Sequence, residues 1–594
     1  MKNRIKQYLL AASMCVGLTA CSDFFEPIPG VQFGLDETFA SKQRTEEYLN
    51  NVYSYVREVT DAIHPNTYGG IFTEASLDGA NRWNKTYAEW TNGSFNSASA
   101  QASEYFSKYY QAIAKASTFI QNVDKCTEAA ASTRGKWKSE ARALRAYYYF
   151  ELLRLYGPIP LIGEDPIPLD ASLEELIKER NSVDECVNFI ATELQSAIDS
   201  GDLLQRAGKA NLGRMDVATC MALKAKLYLY WASPLFNGNT DQASVKNKDG
   251  KQLFPQTEDN SKWAQARDAY ERFMTFATGQ GYKLTEVYTN GKLDPYASCR
   301  AAGEFFTTTW EAVDELIFVK LRDLYDYTYW VCPKFTDFQD TDVTGGGGYY
   351  TTQETVDLFF TKDGLTIEED PGYDKFEGIP SANNFTSGRY YDPNNPSRLY
   401  FDADKSKVLK QWKDREPRFY VNITYSGSIW LNEGKYNEEM RTDFTNGANG
   451  TCGKSKASGD CPDSGYLIRR GAKASNNNGS KHFSPVLRLA DMYLGYAEAL
   501  CMCSDLDNAL TYLNKIRVRA GIPEYTFTAT AGKITCPKTQ TDLLNRIRRE
   551  RLVELVFEWN RYFDVRRWKV AEGQNDPEHW IYPAYHTGGE GGKV

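Results

Sequence analysis

Paired helical segments recur along this chain, and they restrict its fold more than any other feature. In each segment apolar side chains recur every three or four residues, which is the pattern of an amphipathic α-helix. The pairs are predicted at 135–156 with 183–198, at 214–232 with 263–277, and at 489–499 with 509–516, and single helices at about 102–124 and 541–559. Since one such hairpin cannot bury its own apolar face, the pairs must stack on one another. The sequence therefore predicts a mainly α-helical protein.

Small residues lie at the predicted helix crossings. Examples are Ala222, Ala225, Ala497 and Ala499, with Tyr and Leu side chains around them. This arrangement resembles the helical hairpins of tetratricopeptide repeats, although the spacing between the pairs is irregular. We therefore expect a scaffold of tetratricopeptide-like helical hairpins.

The character of the sequence changes between about residues 281 and 484. Helical periodicity fades there, Gly, Asn, Asp and Pro become dense, and residues 345–348 are consecutive glycines. Val421–Tyr425 alternates apolar and polar residues, which predicts a half-buried strand. We predict a large loop-rich insert with short strands at about 281–484, between scaffold segments at about 36–280 and 485–570. Long loops on a rigid scaffold commonly carry binding groups.

The first twenty residues have the features of a secretion signal. Basic residues precede an apolar stretch at 8–16 that is too short to span a bilayer. Leu18–Cys21 resembles the lipobox of bacterial lipoproteins, in which the cysteine is acylated and the preceding peptide is removed. We predict a signal peptide at 1–20 and one interdependent unit at 21–594, anchored to membrane lipid through Cys21. A secreted protein with a chance cysteine near the cleavage point is the alternative.

Charge and hydropathy argue against two classes of protein. The chain has 78 acidic and 69 basic residues, a net charge of −9, which argues against binding to nucleic acid. A mean hydropathy of −0.55 argues against an integral membrane protein. The basic run at 546–551 is interleaved with Glu550, Glu554 and Glu558 at helical spacing, which indicates internal ion pairs.

One short segment combines the groups that a sugar requires. Asp78, Asn81, Arg82 and Trp83 supply a carboxylate, an amide, a guanidinium and an indole within six residues. The C–H face of a sugar ring packs against an aromatic plane, and its hydroxyl rim bonds to paired donors and acceptors. A capping loop with Trp83 buried in the core is the alternative interpretation.

Three weaker clusters of the same kind follow, and we expect all of them in loops. They lie at Tyr296–Arg300, Tyr325–Trp330 and Gly388–Asp392. The candidate ligand-binding residues taken from them are Tyr296, Cys299, Arg300, Arg389 and Tyr391. Each cluster has a structural alternative, in which its aromatic residues belong to the core.

The usual motifs of catalysis and of cofactor binding are missing from the sequence. Its four histidines have no metal-ligand spacing, and no nucleophile elbow or phosphate-binding loop occurs. We therefore predict no catalytic residue, no metal and no cofactor. A carboxylate pair for glycoside hydrolysis stays open, because the separation that it requires is spatial.

Cysteine usage gives one local prediction. Cys452 and Cys461 flank a polar loop with glycines, which would let them meet in a small disulfide-closed hairpin. Two unlinked thiols are the alternative. The other cysteines of the mature chain are expected to be buried thiols.

Eight stretches along nearly the whole chain resemble the SusD/RagB family of outer-membrane glycan-capture lipoproteins. They are Cys21–Phe24, Thr352–Asp357, Asp363–Ile367, Asp414–Phe419, Ala497–Ala499, Asn514–Gly521, Arg549–Arg551 and Glu558–Trp568. The last of these is the most specific. Thr366 replaces a usual proline, Glu416 stands where aspartate is commoner, and the C-terminal tail differs from the family's longer one.

The resemblance implies a function and a partner. It implies four tetratricopeptide-like units, no catalysis, and attachment to the outer membrane at the cell surface. It also implies that the protein captures oligosaccharide and delivers it, as a hinged lid, to a SusC-type TonB-dependent barrel. A surface glycoside hydrolase and a RagB-like lid that binds peptides are the alternatives.

Overall fold

The structure, a computed structural model, describes most of the chain between residues 34 and 570. The described residues are 34–57, 71–76, 78–82, 96–163, 171–303, 314–322, 325–335, 345–376, 380–431, 440–444, 452, 460–472 and 482–570. The predicted signal peptide, the lipid anchor Cys21 and the candidate ligand residue Trp83 lie outside them.

Helices dominate both ends of the described chain, and strands are short. The α-helices are α1 Leu35–Ala40, α2 Lys42–Ser54, α3 Ile71–Glu74, α4 Ala100–Asn122, α5 Ala131–Tyr156, α6 Leu173–Leu176, α7 Val183–Asp199, α8 Val217–Ala232, α9 Ser261–Gly279, α10 Pro295–Gly303, α11 Tyr325–Val331, α12 Gln353–Leu358, α13 Pro417–Asn422, α14 Leu489–Met502, α15 Leu506–Ala520, α16 Gln540–Glu554 and α17 Asn560–Arg567. The strands are β1 Ala80–Asn81, β2 Tyr288–Thr289, β3 Lys292–Leu293, β4 Leu316–Arg322, β5 Tyr349–Tyr350, β6 Arg389–Asp392, β7 Asn395–Asp402, β8 Ile423–Tyr425, β9 Tyr466–Ile468, β10 His482–Arg488, β11 Tyr525–Thr526 and β12 Ile534–Thr535.

The predicted mainly α-helical, tetratricopeptide-like scaffold is confirmed. Each predicted pair packs as a hairpin, α5 with α7, α8 with α9, and α14 with α15. The hairpins stack in chain order through α7 against α8, and α9 packs on α14, so that helices from both ends of the sequence share one core. Gly495 of α14 permits this last contact, because a Cβ atom there would collide with the Tyr270 side chain of α9.

Helix α5 differs from its predicted amphipathic character. It is buried on nearly every side, including its charged residues Glu140, Arg145 and Glu151. Each charge is paired: Arg145 Nε lies 2.8 Å from a Glu193 oxygen, and Glu140 lies 2.7 Å from Arg214. Because these ion pairs offset the cost of burying charge, the polar face of the helix can lie inside the stack.

The region between the helical scaffolds contains a four-stranded sheet and several strand pairs. The sheet has the order β1-β5-β9-β8, and β6 pairs with β7 as an antiparallel hairpin. The strand predicted over Val421–Tyr425 is only partly correct, since Val421 and Asn422 end α13 and the strand covers Ile423–Tyr425. That strand is fully buried rather than half-buried, because the sheet is enclosed by neighbouring elements. The three weaker clusters predicted in loops are not in loops: Tyr296–Arg300 and Tyr325–Trp330 are helical, and Gly388–Asp392 leads into and forms β6.

The ion pairs predicted near the C-terminus are only partly correct, because the interleaved glutamates pair with arginines from distant parts of the chain rather than with those of their own helix. Glu550 pairs with Arg418 and Arg517, and Glu554 pairs with Arg418, Arg488 and Arg519. These groups are almost completely buried. Ion pairs that are this far from solvent join α13, β10, α15 and α16 at one point of the core.

No helix in the described ranges combines the length and the apolar character that a membrane crossing requires.

Candidate functional site

A cavity of about 340 Å³ lies where the β6–β7 hairpin meets α10, α13 and the ends of β8 and β9. Its lining residues are Tyr296, Arg300, Asn395, Ser397, Arg398, Leu399, Tyr400, Tyr420, Tyr425, Ile429, Trp430, Leu431 and Arg469. Three of them are arginines, and none carries a carboxylate. The volume is at the lower end of the ~300–1,000 Å³ that is usual for small-molecule sites.

Asp294 caps the first turn of helix α10, which carries two of the lining residues. The Asp294 carboxylate accepts a hydrogen bond of 2.9 Å from the backbone N–H of Ala297. An acidic group at this end also interacts favourably with the helix dipole. Tyr296 and Arg300 are four residues apart on this helix and therefore face the same side, where both line the cavity.

Stacked aromatic rings form one wall of the cavity. The rings of Tyr400 and Tyr420 are 3.9 Å apart at 10°, and Tyr296 lies 5.7 Å from Tyr400. Trp430 adds an indole to the lining. All four residues expose 7% of their surface or less, so the rings are held in place by close packing. Rings that are fixed in this way can pack against the apolar face of a ligand with little loss of side-chain entropy.

A bidentate ion pair holds Arg398, one of the lining residues, in place. Arg398 Nη1 and Nη2 lie 2.8 and 2.9 Å from the two oxygens of Asp294, and Nη1 lies 2.6 Å from Asp392. The Arg398 guanidinium also lies 4.3 Å from the ring centre of Tyr296. Burial raises the pKa of Asp294, but its bonds to Arg398 and Ala297 prevail and lower that pKa to about 2. The carboxylate is therefore ionised near neutral pH, and it ties α10 to the β6–β7 hairpin.

Arg469 is the lining arginine without a carboxylate partner. Its side chain is buried, and no ion pair to it occurs among the described residues. Its Nε atom has no hydrogen-bond partner there, and its guanidinium lies 5.6 Å from the Trp430 ring centre. Burial lowers the pKa of Arg469, and the charge of Arg300 acts in the same direction. The cavity thus holds a positive charge that its own lining does not balance.

The structure separates the residues predicted on α10. Tyr296 and Arg300 line the cavity, whereas Cys299 does not. Cys299 is buried in the core beside Arg519 and Glu554, and burial raises its thiol pKa to about 12. Cys299 does not reach the cavity because it lies on a different face of α10 from Tyr296 and Arg300.

Arg389 and Tyr391 lie on β6, close to the cavity but not among its lining residues. Arg389 Nε bonds to Asp402 at 3.1 Å, and Arg389 Nη1 donates to the Tyr391 hydroxyl at 3.3 Å. Tyr391 exposes 36% of its surface. A ligand-binding role for these two residues stays a prediction.

The segment with Asp78, Asn81 and Arg82 lies on the four-stranded sheet, apart from the cavity lining. Asp78 is buried and pairs with Arg561 at 2.8 Å, and burial raises its pKa. Asn81 is in β1 opposite Tyr349, and Arg82 pairs with Asp463. The Asp78 carboxylate thus joins the sheet to α17, and ligand binding by this segment stays a prediction.

Residues that line the cavity but were not predicted come from four separate segments. They are Asn395, Ser397, Arg398, Leu399, Tyr400, Tyr420, Tyr425, Ile429, Trp430, Leu431 and Arg469. Alternation along β7 gives a weak local signal for this strand. The contact between β7, α13 and Arg469 depends on tertiary packing, which no local spacing reveals.

Cys452 and Cys461 are both buried, and the disulfide predicted between them stays a prediction. Cys452 lies close enough to Cys332 to affect its pKa, which burial chiefly raises. The segment 453–459 that connects them is outside the described residues. The glycines of that segment permit a closed hairpin, but they do not require one.

Comparisons with known proteins match two family models to the chain. The model described as "SusD family" matches residues 315–588, and the model described as "Starch-binding associating with outer membrane" matches residues 32–229. Together they cover most of the sequence, but not residues 230–314, which include α9.

Individual relatives are more distant. A SusD-like protein of Bacteroides ovatus is 27% identical over 175 residues, and this match spans 28% of the chain and only 30% of that relative. The solved structure named BT4246 has a TM-score of 0.69 at 24% identity, covering 90% of this chain and 89% of that one. A surface glycan-binding protein A of Bacteroides uniformis has a TM-score of 0.53 at 16% identity, covering 89% and 88%. At these identities the structural matches establish a common fold.

Proposed function

Because this chain belongs to the SusD/RagB family, we propose that it is a non-catalytic, surface glycan-binding protein that holds oligosaccharide in the cavity between α10, α13 and β7. The observation that carries the proposal is the combination of fixed tyrosine rings with arginines in one cavity. Starch binding in the description of one matching family, and glycan binding in the name of one structural relative, support this class of ligand.

The chemistry of the lining suits a sugar. The stacked tyrosines offer apolar faces to the C–H side of a ring, and Asn395 and Ser397 offer donors and acceptors to hydroxyl groups. The Tyr425 hydroxyl, which has no partner among the described residues, is a further hydrogen-bonding group of the lining. A volume of about 340 Å³ favours a short segment of a glycan rather than a long chain.

We test the cavity by titrating oligosaccharides into protein that lacks residues 1–21. Tyr296→Leu removes one ring of the wall, and we expect binding to weaken about tenfold, by analogy with the ~1–3 kcal/mol of aromatic stacking on nucleic-acid bases. Tyr288→Leu is the matched control, because Tyr288 is 60% exposed on β2 and does not line the cavity. Equal binding by both variants, with the fold intact by circular dichroism, would assign the ligand to another surface.

The proposal includes an anchor and a transporter. We propose that acylated Cys21 holds the protein on the outer membrane, where it closes as a hinged lid over a SusC-type TonB-dependent barrel. A ligand that touches both lid and barrel would favour the closed state, because it binds that state more tightly. The association with the outer membrane in the description of one matching family supports this location.

Two measurements test the anchor and the partner. Cys21→Ala should move the protein from the membrane to the soluble fraction, and purification from native membranes in mild detergent should retain a large barrel. A variant that stays membrane-bound would refute the anchor, and isolation of this chain alone in several detergents would refute the partnership.

A further inference from the structure

We propose that the cavity selects acidic sugars, those that carry a carboxylate or a sulfate, and that Arg469 is the residue that recognises the acidic group. This inference rests on the proposed glycan-binding function and narrows its ligand class. It is carried by the contrast between two lining arginines, Arg398 with carboxylate partners and Arg469 without one among the described residues.

The first of these arginines, Arg398, has two carboxylate partners within the protein. Arg398 bonds to both oxygens of Asp294 and to Asp392, at 2.6 to 2.9 Å. Both carboxylates are buried, so this group forms a closed unit that positions the hairpin. Arg398 is therefore a positioning residue, and its charge is not available to a ligand.

Arg469 is in the opposite situation. It exposes 8% of its surface, lines the cavity, and forms no side-chain hydrogen bond or ion pair with any described residue. A buried guanidinium without an anion is costly, because desolvation is not offset by a partner. The neighbouring residue Arg470, by contrast, is paired with Glu558. A ligand with an anionic group would supply what Arg469 lacks.

The rest of the cavity favours the same ligand. The lining contains no acidic side chain that would repel an anion. Guanidinium groups bind carboxylates and sulfates through paired N–H donors, and such bonds are stronger when solvent is excluded. The protein as a whole carries a net charge of −9, so the positive charge of Arg469 is a local feature and not a result of overall composition.

The test compares acidic and neutral forms of one glycan. Calorimetric titration of the chain lacking residues 1–21 uses oligogalacturonate, its methyl ester, a sulfated galactan oligosaccharide and a malto-oligosaccharide. We expect an acidic probe to bind at least about tenfold more tightly than the neutral ones, as for a buried hydrogen bond to a charged group. Preference for the galacturonate identifies a carboxylate, and preference for the sulfated probe identifies a sulfate; either supports the inference.

Variants assign the effect to Arg469. Arg469→Met should abolish the preference for the acidic probe while neutral probes bind as before, and Arg469→Lys should retain part of it. Arg272→Met, on the exposed side of α9, removes an equal charge as the control and should change nothing. The ester comparison uses the unaltered protein, so it decides the question even where a variant does not fold.

Two outcomes count against the inference, and they differ. If acidic and neutral probes bind equally, acid selection is wrong while glycan binding stands. If none of the four probes binds, the proposed function and the inference are both refuted.

Discussion

Loss of the Glu554 carboxylate is expected to destabilise the protein far more than loss of an exposed carboxylate. Glu554 is 4% exposed and contacts three guanidiniums: Arg488 at 2.7 Å, Arg418 at 3.2 Å, and Arg519. These contacts hold the pKa of Glu554 well below its usual range, although burial opposes them. The side chain is therefore charged when folded, and its removal leaves buried cations with too few anions.

The charge count of the network sets the size of the effect. Through shared ion pairs, the five carboxylates Glu315, Glu416, Glu550, Glu554 and Glu558 are linked to the five guanidiniums Arg418, Arg470, Arg488, Arg517 and Arg519. Glu554→Gln makes this balance four to five. Removing one partner of a buried ion pair costs about 3–5 kcal/mol, and we expect a loss of that size in the free energy of unfolding.

Urea denaturation at pH 7 measures this loss, with Glu524→Gln as the matched control. Glu524 pairs with Lys533 at 2.7 Å, but both side chains are about one-third exposed, so a cost of about 0–1 kcal/mol is expected. Adding Arg519→Met to Glu554→Gln restores four charges of each sign, and the double variant should lose less than the sum of the two single variants. A loss for Glu554→Gln that equals the control, or strict additivity in the double variant, would refute this account of the network.

Two further predictions concern the ion pair between Asp294 and Arg398 and the packing of α14 on α9. The pKa of Asp294 is about 2 in the folded protein and ~3.9 in the unfolded chain. Its ionised form therefore adds about 2 kcal/mol to the free energy of unfolding above pH ~4, and this contribution is lost as the pH falls toward 2. The stability difference between the unaltered protein and Asp294→Asn should therefore shrink between pH 5 and pH 3 in urea titrations, and a constant difference would contradict the assignment. Gly495→Ala should destabilise by about 1–3 kcal/mol because its Cβ meets Tyr270, whereas Gly279→Ala on α9 has no neighbour within 4 Å and should be neutral or slightly stabilising. Equal thermal unfolding of these two variants would show that the helices can separate without cost.

The helical scaffold could be predicted from the sequence because its signal is local. Three- and four-residue periodicity marks a helix within a single segment, and all three predicted pairs are formed. The burial of α5 could not be predicted in the same way. Its pattern reads as amphipathic until Glu193 and Arg214 are known to lie opposite its charges, and those residues are far away in sequence.

The candidate cavity was only partly predictable for a similar reason. Tyr296 and Arg300 were found because an aromatic ring and a guanidinium suit a sugar, although the cluster was expected in a loop; the helix that forms there places both on one face. Arg398, Tyr420 and Arg469 were missed because packing of β7, α13 and β9 brings them together. Composition flagged many aromatic clusters, but it does not distinguish a ring of the core from a ring that lines a cavity.

Arg469 and Arg470 are adjacent in the chain, but Arg469 lines the cavity whereas Arg470 belongs to the buried ion-pair network. Arg470 is paired with Glu558 in that network, where carboxylates and guanidiniums are equal in number. Arg398, which lines the cavity, is paired with two aspartates. Other buried guanidiniums of this fold have oxygen partners, such as Glu558 for Arg470, 88 residues away, and the backbone oxygens of Val356 and Phe359 for Arg415. Arg469 has no such partner among the described residues, and it lines the cavity. Burial of a guanidinium without an oxygen partner is costly. A ligand with an anionic group would supply that partner to Arg469 and offset the cost.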